Sequence, residues 1–313
     1  MNPQLEEFRE ICPLTDPSDR RIGHLLGRAL ADQPPRVVIV GFPCDEGVRR
    51  NGGRIGASLA PDAIRKHFYR LALDQETGQG FESLVENTLD LGNVRISGDL
   101  EAAQENLGRC IAGYLYEDVV LVVLGGGHET SYGHFLGYVE AGIPVEILNW
   151  DAHADVRPLK DGLGHSGSPF RQVLLHPSGL CQSYRVVGLQ RHSNTSTHLA
   201  FVREHGGAVL FREELSEKQI PQLLDSGRSA LLISLDMDVV DQNYAPGVSA
   251  PAVGGLAQDL ILDLAVSAGR SPNVRSFDLV EVNPGVDESE RTSRLAAVIL
   301  WKFLSGFLQR PEK

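Results

Sequence analysis

The sequence predicts a three-layer α/β fold on a mostly parallel central sheet, and three observations point there. Short β-branched apolar runs alternate with longer amphipathic stretches almost to the end of the chain. Several of those runs are apolar at nearly every position, as strands covered on both faces must be. Glycine-rich or acidic segments follow the strands directly, at the carboxyl ends where open parallel sheets bind ligands.

Taken in order, strands are expected at residues 36–40, 119–124, 145–150, 184–188, 208–211, 231–235 and 274–279. Helices are expected at 61–73, 100–116, 130–141, 197–204, 216–224, 256–268 and 289–308. Pro61 suits the first position of its helix. Gly269 follows the sixth helix as a natural C-terminal stop. With no internal repeat, low-complexity tract or linker, the expectation is one domain over residues 1–313, residues 1–33 being a possible N-terminal appendage.

Lys+Arg 29 against Asp+Glu 41 gives a formal charge of −12 over 313 residues. That acidity argues against nucleic acid, which rewards basic patches through counterion release. An apolar share of 42% with 22% charged residues excludes wholesale disorder. The longest unbroken apolar run, residues 295–301, is far short of the ~18 needed to span a bilayer. The first residues carry neither a basic nor an apolar segment, so a cytoplasmic protein that binds no membrane is expected. Cys12, Cys44, Cys110 and Cys181 are scattered without a C-x-x-C pair, which fits reduced thiols.

The chemistry concentrates behind four strands. The run 121–124 leads into Gly125, Gly126, Gly127, His128 and Glu129. This turn fits neither standard phosphate-binding glycine pattern, and a capped turn with an incidental histidine explains it about equally well. Strand 145–150 leads into Asp151, His153 and Asp155, with Ala152 and Ala154 between them. If the extended conformation continues, these three share one face. Such groups are expensive to bury unless paired or metal-bound. Strand 231–235 ends in Asp236 and Asp238, two like charges that repel unless a cation holds both ionised. The last strand leads to Glu281, ahead of Asn283 and Pro284. Four carboxylates and two imidazoles exceed the demand of one tetrahedral ion and suit two ions with shared aspartates. A shell rich in oxygen and free of thiolate favours manganese over zinc.

These segments resemble the arginase–agmatinase–formimidoylglutamase family, the ureohydrolases, over nearly the whole chain. The G-G-x-H, D-A-H-A-D, S-x-D-x-D and E-V-N-P elements occur in family order with family-like separations. The resemblance implies a single arginase-like catalytic domain with two Mn2+ per subunit. It implies that His128, Asp151, Asp155 and Asp236 hold one ion, and Asp151, His153, Asp236 and Asp238 the other. Asp155 would orient a metal-bridging hydroxide that attacks the amidine carbon, and Glu281 would accept the substrate's N–H groups.

Within the family the chain leans toward the formimidoylglutamase branch. The turn reads G-G-G-H-E, and the segments 45–54, 166–172 and 188–194 are similar to that branch. The implied reaction is N-formimidoyl-L-glutamate plus water giving L-glutamate and formamide, a step of histidine degradation. An acidic protein must supply local guanidinium groups to hold a dianionic substrate, and arginine pairs carboxylates bidentately. Arg157, Arg171 and Arg191 are the candidates, with Asn194 and Glu281 beside them. Where arginases and agmatinases carry H-G-x-P with a proton-shuttling histidine, this chain has Ser166, Gly167, Ser168 and Pro169. The frame puts Ser166 on the histidine's position; His165, one residue earlier, is the candidate shuttle if the loop shifts. The alternatives are a guanidino hydrolase releasing urea (guanidinobutyrase, another guanidino-acid hydrolase or agmatinase), a two-metal phosphoesterase, and a non-catalytic metal-binding protein. The resemblance further implies a homo-oligomer, trimer or hexamer, acting on a small anionic amidine.

Overall fold

The computed structural model describes residues 5–8, 16, 18–31, 34–116, 118–227 and 229–311. Its strands are β1 (Leu5–Glu6), β2 (Val37–Phe42), β3 (Thr88–Val94), β4 (Val120–Gly125), β5 (Val145–Trp150), β6 (Cys181–Leu189), β7 (Ala208–Phe211), β8 (Ala230–Asp236) and β9 (Val274–Val280). They form one sheet in the order β1-β3-β2-β4-β9-β8-β5-β6-β7. Every neighbouring pair is parallel except β1 with β3.

Alternate residues of the central strands enter two separate cores, as a pleat of period two requires. Val37, Ile39, Val120 and Val122 pack with Ile64, Phe68, Ile261 and Phe303 on one face. Val38, Val40, Leu121 and Val123 pack with Leu107, Phe135, Tyr138 and Phe170 on the other. Helices Ala60–Phe68, Gln79–Glu86, Gln258–Arg270 and Arg291–Phe307 cover the first face. Helices Leu100–Ala112, Thr130–Ala141 and Pro169–Leu174 cover the second. The α/β architecture with a mostly parallel sheet is therefore as expected.

Three expectations are corrected. The helix expected to stop before Gly269 runs on to Arg270. Gly269 serves a close approach instead: a Cβ there would meet the backbone oxygen of Phe303, and a Cβ at Gly306 would meet that of Val266. The two helices touch backbone to backbone through this glycine pair. The helix expected over residues 216–224 is a 3₁₀ turn, Glu217–Gln219, followed by the single turn Ile220–Leu223, because Pro221 fits only a first turn. Strand β3 was not expected at all; its Asp90 and Asn93 look wrong for a strand until Arg65 is placed. That guanidinium, fully buried, donates to Asp90 at 2.8 and 3.0 Å and to Asn93 at 2.6 Å.

Within residues 1–33, β1 pairs with β3, and Ile22 and Leu25 are fully buried. Cys12 lies outside the described residues. Cys44 is buried, Cys110 and Cys181 partly so. Among the described residues no helix is long and apolar enough to cross a membrane.

Candidate metal centre

Strands β4, β9, β8 and β5 are neighbours in that order at the middle of the sheet, so their carboxyl ends converge on one spot. The turn after β4 presents His128. The carboxyl end of β5 leads to Asp151, His153 and Asp155, β8 ends at Asp236, and β9 leads to Glu281. The extended conformation does not carry through residues 151–155, since β5 stops at Trp150 and Asp155 takes a left-handed φ of 44°. Backbone bonds still tie the segment to the neighbouring strand: Asp151 N–H donates to Val187 O and Gln190 N–H to Ala152 O, both at 3.0 Å.

Two overlapping groups of ligand-type side chains result. His128, Asp151, Asp155 and Asp236 form one, and Asp151, His153 and Asp238 the other. Nδ1 of His128 lies 2.9 Å from Asp155 Oδ2, 3.0 Å from Asp236 Oδ2 and 3.3 Å from Asp151 Oδ2. Nδ1 of His153 lies 3.0 Å from Asp238 Oδ2 and 3.5 Å from Asp151 Oδ1. Asp151 thus belongs to both groups. Asp236 belongs to the first only, and its Oδ1 accepts Asp238 N–H at 2.7 Å.

The electrostatics of the cluster ask for positive charge. Burial drives Asp236 and Asp238 above the usual carboxylate range, and neighbouring carboxylates add to the rise. The charge of Asp238 drives the His153 imidazole up to about 12. Nδ1 of His128 is buried and faces three carboxylate oxygens. Either a proton or a metal cation must lie between that nitrogen and the carboxylates. Against the effect of burial, the neighbouring carboxylates raise the His128 imidazole. An oxygen-rich, thiol-free set of this kind fits divalent ions such as manganese.

Glu281 stands beside the ligands with a left-handed φ of 66°. Its N–H donates to Gly126 O and its Oε1 accepts His128 N–H, both at 2.8 Å. Burial pushes this carboxyl up to about 8, with Glu129 next in effect. Glu129, which the sequence reading left without a role, is itself buried and pushed up to about 7. Its Oε1 accepts Gly47 N–H at 2.7 Å, which ties helix Glu46–Asn51 to the metal-site turn.

The ligands open into a cleft of about 230 Å³ lined by His153, Asp155, Arg157, Asp236, Asp238 and Glu281, with Asn51, Ser166 and Ser249 on its wall. Residues 35–306 match the model of the arginase family.

The chain belongs to the arginase family. It is 37% identical over 282 residues to the formimidoylglutamase of Lysinibacillus sphaericus (strain C3-41), covering 86% of this chain and 84% of that one. The formiminoglutamase of Trypanosoma cruzi, crystallised with manganese, is 31% identical with a TM-score of 0.82, covering 94% of this chain and 100% of that one. The formimidoylglutamase of Bacillus subtilis is 26% identical with a TM-score of 0.84, covering 97% of each chain.

For a member of this family the placement of the expected substrate groups is uneven. Arg157 lines the cleft; its Nη1 donates to Asn51 Oδ1 at 3.2 Å and its N–H to Gly167 O at 2.9 Å. Arg171 does not line the cleft, since it stacks 4.0 Å over the Phe201 ring and donates to Val156 O. Arg191 does not line it either; more than half exposed, it covers Phe211 and faces Glu213 and Glu214. Asn194 braces the ligand segment, accepting Ala154 N–H at 2.9 Å and donating to Ala152 O at 2.8 Å. His165 is also absent from the lining, and the loop does not shift to bring it in. Its Nε2 meets Pro158 O at 3.0 Å, and its Nδ1 accepts Gly167 N–H at 3.2 Å. Ser166 lines the cleft instead. Asn51, at the end of the short helix Glu46–Asn51, and Ser249, in a loop, were not expected, because a single polar residue at either place carries no periodic signal.

Proposed function

We propose that this chain is a manganese-dependent hydrolase that cleaves N-formimidoyl-L-glutamate to L-glutamate and formamide, a reaction of histidine breakdown. The observation that carries this reading is one cleft lined by members of both overlapping His/Asp groups (Asp155 and Asp236 of one, His153 and Asp238 of the other) and by a guanidinium, Arg157. Family membership supports hydrolysis of an amidine C–N bond, and the names of the relatives support the substrate. The six ligands would be His128, Asp151, His153, Asp155, Asp236 and Asp238. Two Mn2+ bound there would supply Lewis acidity and a water ionised at neutral pH.

The chain's own residues divide the remaining work. Arg157 pairs a carboxylate of the substrate, with Asn51 fixing the direction of its fork. Glu281, held by His128 N–H, accepts N–H groups of the amidinium and sets the reacting carbon beside the ligands. Asp155, in both the cleft wall and the ligand group, accepts a proton from the attacking water. The amine leaving from glutamate takes its proton from Asp155 or from solvent, with no histidine in the expected frame.

The test is a product assay on the manganese-loaded protein with N-formimidoyl-L-glutamate, arginine, agmatine and 4-guanidinobutyrate side by side. Formamide and glutamate from the first substrate alone are expected. Urea from a guanidino compound would keep the metal site and overturn the substrate.

A further inference from the structure

We propose that Asp278, acting through Ser234 and held by His134, is a positioning residue that fixes the proton on His128 and aims its Nδ1 at the metal. The proposal rests on the metal-binding reading above. Ser234 on β8 and Asp278 on β9 are direct neighbours in register, and both are fully buried. Asp278 Oδ1 accepts the hydroxyl of Ser234 at 2.6 Å and that of Ser131 at 3.1 Å. Asp278 Oδ2 accepts from Nδ1 of His134 at 2.7 Å, and that ring is fully buried too. On the other side of Ser234, its Oγ lies 3.0 Å from Nε2 of His128.

The direction of this relay follows from counting hydrogens. A serine hydroxyl has one proton, and a carboxylate only accepts. At 2.6 Å the charged acceptor takes it, since charge-assisted bonds are the shorter and stronger ones. Ser234 then has only lone pairs to offer His128. Nε2 of His128 must therefore carry the hydrogen, which leaves the lone pair on Nδ1, the atom aimed at Asp151, Asp155 and Asp236. Without Asp278, Ser234 could turn its proton toward Nε2 and select the wrong tautomer.

Stability alone does not call for these groups. A buried ion or polar pair is often no better for stability than an apolar pair of equal volume. His134 Nε2 is buried without a hydrogen-bond partner among the described residues, so the ring's one such partner is Asp278. Helix Thr130–Ala141 reaches the relay through Ser131 as well, whose Oγ lies 3.0 Å from Ser234 Oγ.

The experiment is a Mn2+ titration of the full chain, wild type against Asp278→Asn and Ser234→Ala, read by calorimetry and by electron paramagnetic resonance of free Mn2+. A His153→Ala protein marks which binding step belongs to which ligand group. In Asp278→Asn and Ser234→Ala, the step belonging to the His128 group weakens about 10–100-fold and the other step is nearly unchanged. Ser234→Thr, which keeps the hydroxyl, restores it. Ser234→Ala removes a single oxygen and serves as the second probe should Asp278→Asn fail to fold. Wild-type affinity at both steps in both variants would overturn the relay. So would equal weakening of both steps with a matching loss of Tm, the mark of a purely structural role. A wild-type protein that takes up no Mn2+ would instead overturn the metal reading itself.

Discussion

Arg157 and Asn51 meet in the wall of the cleft, 106 positions apart in sequence, through a bond of 3.2 Å from Nη1 to Oδ1. Asn51 is oriented in turn by its own donation to Ser166 Oγ at 3.1 Å. A fork held at one corner keeps its other donors for a carboxylate. Arg157→Ala should raise KM for formimidoylglutamate about 10–100-fold, the equivalent of a charge-assisted hydrogen bond of about 1.5–3 kcal/mol, with kcat little changed. Arg171→Ala and Arg191→Ala should leave both constants close to wild type. Steady-state kinetics of the three variants decides it, and a KM effect at Arg191 equal to that at Arg157 would refute the assignment.

His165 turns into its own loop, and burial lowers its pKa below the usual histidine value. His165→Ala should cost about 1–2 kcal/mol of stability through the two lost hydrogen bonds. Its kcat should fall far less than the ~10²–10⁴ that a general acid or base contributes. Thermal melts and turnover on the same preparation separate the two, and a loss of kcat in that larger range would restore the shuttle.

Removing the metal exposes the cluster's appetite for protons. Glu129 and Glu281, ordinarily near 4.5, sit at about 7 and about 8 in the fold. Between 4.5 and those values the native chain binds more protons than the unfolded one, so stability falls as pH climbs. His153, raised to about 12, adds a contribution that is complete below 6.5 and lost upward, the same sign. Asp151, lowered chiefly by its histidine neighbours against the effect of burial, acts only on the acid side of that window. The chelated protein should therefore melt at a lower temperature at about pH 8 than at about pH 5, and Glu129→Gln should flatten the slope. Mn2+ should restore activity and raise Tm through its preference for the native state. A Tm of the chelated protein that rises with pH would contradict the cluster's electrostatics.

Gly269→Ala should cost about 1–3 kcal/mol, because the added methyl meets the backbone of Phe303, which cannot yield as a side chain would. Activity per folded molecule should be kept, since this crossing involves no residue of the cleft lining. Denaturant unfolding measures the first, and a specific-activity assay the second. An unchanged midpoint would mean that the helices part at no cost.

The sheet was legible where strands are apolar on both faces. Strands β5 and β7 were read to the residue, and the ends of β2, β4, β8 and β9 shift by one or two. Strand β3 was hidden because its Asp90 and Asn93 become acceptable only once a buried Arg65 from a distant helix reaches them. Helix Glu46–Asn51 is too short and too charged to show a period. The ligands were legible because each sits at or just past a strand end, where a short motif fixes direction. Arg171 and Arg191 were not, because a long side chain can turn to an aromatic ring whether it stands on a helix, as Arg171 does, or on a loop, as Arg191 does.

The four strand ends that build the centre are adjacent in space and scattered in the chain, at His128, Asp151–Asp155, Asp236–Asp238 and Glu281. A growing polypeptide therefore emerges with His128 and the Asp151–Asp155 segment long before Asp236 exists. Such long-range parallel pairing is slow to form, because loop closure must precede any contact that rewards it. Metal capture at this candidate centre would therefore come late, once the parallel sheet has closed. Until then the nascent chain would offer His128 and the acidic segment after β5 without Asp236 and Asp238.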